Sequence, residues 1–140
     1  MIMREVQQKN YTFSNDNYLS VFVGVCDSEE LLAAYLEKDY DLLDKDCIGS
    51  EFGVDFGINT YDEDFLVFVR NPEMSDDISK IFVDARVFDI NLLKQDYPDN
   101  LDRAFNVAIV VGRLKYEGEV TEIENHEFGY FKFLGTYPEV

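Results

Sequence analysis

The chain has 140 residues, of which 29 are acidic and 12 basic, giving a formal net charge of −17. That balance excludes a surface built to neutralise phosphates and is repelled by anionic membranes, so neither nucleic acid nor membrane is expected as a partner; basic partners are drawn in instead. Hydrophobic residues make up 46% of the chain, with 12 Phe and 9 Tyr, enough for a packed core at the length of one domain, so residues 1–140 are read as a single domain.

The first nine residues contain no apolar core of signal-peptide length, and no apolar run reaches membrane-spanning length. The expected location is the cytoplasm, where Cys26 and Cys47 remain reduced and act as small core residues. Residues 18–25 are β-branched, aromatic or aliphatic and read as a buried strand. Gly24 stands near its end, where a strand glycine permits close backbone approach. Asp27 is the expected N-cap of a helix, with Glu30 completing a capping box. Leu31, Leu32, Tyr35 and Leu36 form its apolar stripe, and it ends near Lys38. An acidic loop follows over residues 39–49. Ser50 caps a short helix carrying Phe52 and Phe56, which stops at Gly57.

Residues 65–69 read as a second buried strand closed by Asn71-Pro72. Asp76 or Asp77 caps a helix with Ile78, Ile81 and Phe82. Asp89 caps another with Leu92 and Leu93, ended by Pro98. Residues 105–114 form a third strand, residues 116–127 an acidic ribbon, and residues 128–134 a fourth strand. In that last strand Phe131 and Phe133 alternate against Tyr130, Lys132 and Leu134. The expected class is α+β: a mixed or antiparallel sheet of about four strands with helices packed mainly on one face. The third and fourth strands follow one another in the chain and suggest an antiparallel pair.

The charge is unevenly spread. Residues 26–64 hold 13 acidic residues against Lys38 and Lys45, and Glu117, Glu119, Glu122, Glu124 and Glu127 form a second run without a base. Catalytic chemistry is thinly represented. His126 is the one histidine, and no sequence context activates a cysteine beside it. Asp44-x-Asp46-x-Ile48-Gly49 with Asp55 partly imitates a calcium loop, but Ile48 occupies a ligand position and Asp55 replaces the bidentate Glu. Asp55, Asp62, Glu63 and Asp64 could supply a carboxylate pair, with no sugar pocket to define them. Neither a cofactor nor a metal is expected.

Residues 50–65 read Ser-Glu-Phe-Gly-Val-Asp-Phe-Gly-Ile-Asn-Thr-Tyr-Asp-Glu-Asp-Phe. Residue by residue this is a capped helix, a glycine stop and an acidic entry to a strand. As a pattern it resembles the immunity protein 22 family of bacterial polymorphic-toxin systems. The family order is a first strand, an acidic-capped helix ending in Tyr-Leu, an acidic tyrosine-containing loop, a Ser-x-Phe-x-x-Asp-Phe-Gly-Ile element and a Tyr-Asp-Glu-Asp-Phe box. Residues 21–25, 28–36, 39–46, 50–58 and 61–65 match these in turn. Phe22 stands where many members carry tryptophan, and the match covers the N-terminal half.

The resemblance implies an immunity protein that neutralises a cognate toxin domain by binding it, not an enzyme. Charge independently favours a basic toxin site occupied by an acidic surface. The expected toxin-binding residues are Asp39, Asp41, Asp44 and Asp46 with Tyr40 as an anchor, followed by Asp62, Glu63 and Asp64. Two alternatives stand beside it: a carboxylate-based enzyme, with or without a divalent metal, and an acidic regulatory protein for another basic partner. Oligomeric state is left open by the sequence.

Overall fold

A computed structural model describes residues 14–37, 50–58, 63–83 and 88–138. Along the chain run β1 (Ser14–Val25), α1 (Glu29–Leu36), α2 (Glu51–Phe56), a 3-10 turn (Glu63–Phe65), β2 (Leu66–Ser75), α3 (Ile78–Ile81), α4 (Ile90–Asp96), β3 (Phe105–Leu114), β4 (Glu122–Asn125) and β5 (Gly129–Pro138). The strands form one antiparallel sheet in the order β2-β3-β1-β5-β4. The class is α+β, with a fifth strand where the acidic ribbon pairs Glu122–Asn125 against β5.

The expected pairing of the third and fourth strands does not form. β1 lies between β3 and β5 and pairs with both. The physical reason is its composition. Val21, Phe22 and Val23 are each completely buried, which requires cover on both faces and strands on both sides. For the same reason the helices divide between the two faces rather than gathering on one. Phe22, Val107, Ile109 and Val111 face Leu32, Tyr35, Leu36, Phe52 and Phe56 of α1 and α2. Val21, Val23, Ala108 and Val110 face Ile78, Ile81 and Leu93 of α3 and α4.

The pairing of β1 with β5 shifts between Val21 and Phe22, whose partners are Gly135 and Phe133. Leu134 is therefore an extra residue, and such a bulge reverses the alternation beyond it. This is how Leu134 and Tyr137, an odd number of positions apart, join the same core. Gly24 fulfils its expected role: a Cβ there would stand 2.5 Å from Phe131 Cδ1 and 2.7 Å from the Tyr130 carbonyl oxygen.

The first helix is capped one residue later than expected. Ser28, not Asp27, accepts from the Leu31 N–H at 3.1 Å. The delay follows from the residue that leaves the sheet. The buried Asn106 amide receives the Cys26 N–H at 3.0 Å and donates to the Cys26 carbonyl at 3.1 Å. Arg70 Nε donates to the same carbonyl at 2.7 Å. With Cys26 so held, Asp27 is still in transit and Ser28 is the first residue free to turn inward. The other caps fall where the sequence places them: Ser50 on Gly53, Asp77 on Ser79 and Asp89 on Asn91. Gly57, at φ 71°, ends α2 in the left-handed region.

β2 continues through Pro72 to Ser75 instead of closing at Asn71-Pro72. It is an edge strand, where a missing N–H need not interrupt a ladder. Its pairing with β3 is regular from Leu66 to Arg70 and slips before Ser75.

Candidate functional site

The acidic helix-glycine motif builds a bracket. Phe52, Phe56 and Ile58 are buried, and Phe22 meets the Phe52 and Phe56 rings edge-on with both centroid distances at 5.0 Å. Tyr35 stacks on Phe131 with centroids 4.2 Å apart and planes 11° apart. Its hydroxyl donates to Asp55 Oδ2 at 2.8 Å. Asn125 Nδ2 donates to the same oxygen at 2.9 Å. Asn125 Oδ1 in turn accepts from the Glu127 and Phe128 N–H groups at 2.9 and 3.1 Å. Asp55 of α2 thus fixes α1 on one side and the β4–β5 turn on the other.

A second tether holds the connection from β3 to β4. The Tyr116 N–H donates to Ser20 Oγ at 2.9 Å, and Ser20 Oγ donates to the Leu114 carbonyl at 2.8 Å. The Tyr116 ring packs against Phe22, Phe56 and Phe133. Its hydroxyl lies 2.9 Å from the Phe56 carbonyl and 2.7 Å from that of Val120. With one hydrogen it donates to one of them at a time. Burial pushes its pKa up to about 12, so the phenol stays a donor.

These tethers present the ribbon as a rigid acidic element. Glu124 and Glu127, with Asp27 at the end of β1, line an open cavity of about 310 Å³ together with His126, Arg103 and Tyr130. Arg103 lies over the Tyr130 ring, 4.4 Å from its centroid. The Tyr130 hydroxyl donates to Glu122 Oε2 at 2.6 Å. Desolvation, reinforced by that carboxylate, pushes Tyr130 up to about 12. Asp27, Glu124, His126 and Glu127 are exposed. The arrangement sets exposed carboxylates around the cavity beside one guanidinium. Among the described residues no group of three or more His, Cys, Asp and Glu is placed to hold a metal ion.

Of the residues expected to bind a partner, Asp39, Tyr40, Asp41, Asp44, Asp46 and Asp62 lie outside the described residues, as does Cys47. Glu63 and Asp64 fall in the 3-10 turn that leads into β2, and Asp64 is exposed. Asp55, weighed as a ligand or an acid, is the bracket between Tyr35 and Asn125. Cys26 is a buried free thiol that donates to the Ser28 carbonyl at 3.4 Å. The structural use of Asn125 and Asn106 was not legible in the sequence, because each serves a partner at least 70 residues away. Among the described residues no helix is long and apolar enough to cross a membrane.

A family model described as Immunity protein 22 matches residues 19–138. The match runs from β1 to the end of β5 and so includes the C-terminal half, where no motif was readable. No curated protein and no solved structure matches the chain.

Proposed function

The chain belongs to the immunity protein 22 family, and from that premise we propose that it neutralises a cognate toxin domain by binding it stoichiometrically in the cytoplasm, without catalysis. The observation that carries this reading is the family match across nearly the whole chain. The proposed toxin site is basic, and the net charge of −17 supports fast, steered association with it. In this reading the acidic segment around Asp39, Asp41, Asp44 and Asp46 enters the toxin's site with Tyr40 as anchor. Asp62, Glu63 and Asp64 are the second choice for the contact.

The bracket geometry is consistent with a division of labour. The residues that carry the family pattern, Tyr35, Phe52, Asp55, Phe56 and Ile58, are occupied with one another or with the core. That leaves the exposed acids free to vary with the toxin. Growth rescue tests the reading. The C-terminal domain encoded by the reading frame directly upstream is expressed with and without this chain, and the purified pair is examined for a complex. Rescue with a tight one-to-one complex is the expected result; toxicity without rescue or binding rejects immunity by direct binding.

A further inference from the structure

An antiparallel sheet has two edges, and here they are treated differently. The β4 edge is four residues long and exposes Glu122 and Glu124. Short, charged edges resist pairing with another chain. The β2 edge is ten residues long, with a regular ladder to β3 over Leu66–Arg70 on its inner side. Phe68 stands exposed at the middle of that stretch.

Among the described residues the exposed large apolar side chains are Phe65, Phe68, Met74 and Val83. All four lie on β2 or on the segments that flank it, the 3-10 turn before it and the end of α3 after it. Exposed apolar groups along a strand edge that no described strand pairs with are the mark of a docking surface. Arg113 covers one side of Phe65, its guanidinium carbon 3.9 Å from the ring centroid.

We infer that the outer edge of β2, over residues 66–71, receives an extended segment of the toxin as a sixth strand, with Phe68 and Met74 packing against it. The inference rests on the immunity reading above and adds a second contact surface to the acidic segment proposed there. Charge selects the occupant. A second copy of this chain would bring another −17 to the same edge, whereas a basic segment is attracted. The acids on and beside β2 are Glu73 and Asp64, both exposed. Arg70, the base within β2, is turned inward to the Cys26 carbonyl. The segment is therefore expected to alternate apolar and basic residues, the apolar ones meeting Phe68.

The test uses the upstream-encoded toxin domain, separated from the co-purified complex and refolded, as the probe. Phe68→Lys and Met74→Lys are compared with Gln95→Lys and Asp99→Lys, exposed on and just after α4. The β2 variants are expected to weaken binding by about 30-fold or more, and the α4 variants by less than about threefold. Circular dichroism melts verify that each variant folds. Amide exchange on the unmodified complex supplies a readout independent of variants: the outward-pointing amides among residues 66–71, those not bonded to β3, are expected to slow by about 100-fold on binding.

If the unmodified chain neither binds nor rescues, the immunity reading itself fails. If it binds and rescues while the β2 variants bind equally well and the outward-pointing 66–71 amides gain no protection, the edge is not part of the interface and the inference is overturned alone. A free protein that runs as a dimer broken by Phe68→Lys would assign the edge to self-association and overturn it as well.

Discussion

The Tyr35 hydroxyl meets Asp55 Oδ2 at 2.8 Å, joining α1 to α2 through two residues of the family pattern. Asn125 shares that oxygen from the β4–β5 turn. Removing the carboxylate leaves two donors without their acceptor, and an unmade buried hydrogen bond costs about 1–3 kcal/mol. Asp55→Ala is expected to cost about 2–3 kcal/mol and Tyr35→Phe about 1 kcal/mol, with the double variant losing less than the sum. Urea unfolding of the three variants checks this; strict additivity would show that the contact carries no coupling.

Asn106 replaces a ladder partner for Cys26 by receiving its N–H and donating to its carbonyl. Asn106→Ala removes both bonds at a site only 6% exposed, and Asn106→Asp keeps the acceptor but loses the donor. The expected order of stability is native, then Asp, then Ala, with the last about 2–4 kcal/mol below native. A melting series reads the order directly.

Alkaline pH should unfold the protein early. Tyr116 and Tyr130 each have an unfolded value of 10.0 and a folded value of about 12. Between those values the unfolded chain has released protons that the native state still holds, so stability falls as pH rises. The contribution is fully present below about pH 10 and is lost toward pH 12. Tyr137, whose hydroxyl donates to Asp96, is shifted the same way by burial and that carboxylate. Melting temperatures measured across this window should fall less steeply for Tyr116→Phe than for the native chain. An unchanged slope would mean that Tyr116 ionises freely in the fold.

Charge reversal addresses the acidic segment. Asp41→Lys, Asp44→Lys and Asp46→Lys together are expected to slow association with the toxin domain about tenfold at low salt and to flatten its salt dependence. Stopped-flow rates at two ionic strengths suffice. Unchanged rates would remove this segment from the encounter surface.

The sequence was legible where structure is local. The strand cores, the caps at Ser50, Asp77 and Asp89, and the Gly57 stop depend on neighbours within a few residues. Ser28 was misplaced by one position because the cause lies 80 residues away, in the grip of Asn106 on Cys26. Pro72 reads as a terminator, and only sheet position reveals an edge strand that tolerates it. The run from Phe65 to Val69 reads as buried, yet Phe68 is exposed, because nothing in its residues states that it forms an edge of the described sheet. As for the site, charge pointed to the acids without telling which are committed internally: Asp55 resembled its neighbours until its two donors were placed.

The strand order also sets a schedule. β1 holds residues 14–25, yet its neighbours are residues 105–114 and 129–138. On the ribosome, its hydrogen-bonding edges wait until residues 26–104 have been made before either partner emerges, and the second arrives only with β5. Assembly of the centre is therefore expected to be slow, since long loops must close before their contacts stabilise anything. During that delay the apolar β1 is open to other chains. For a chain proposed to neutralise a toxin, this makes the head start of its synthesis a variable of its own: a supply of finished molecules protects sooner than a burst of new ones.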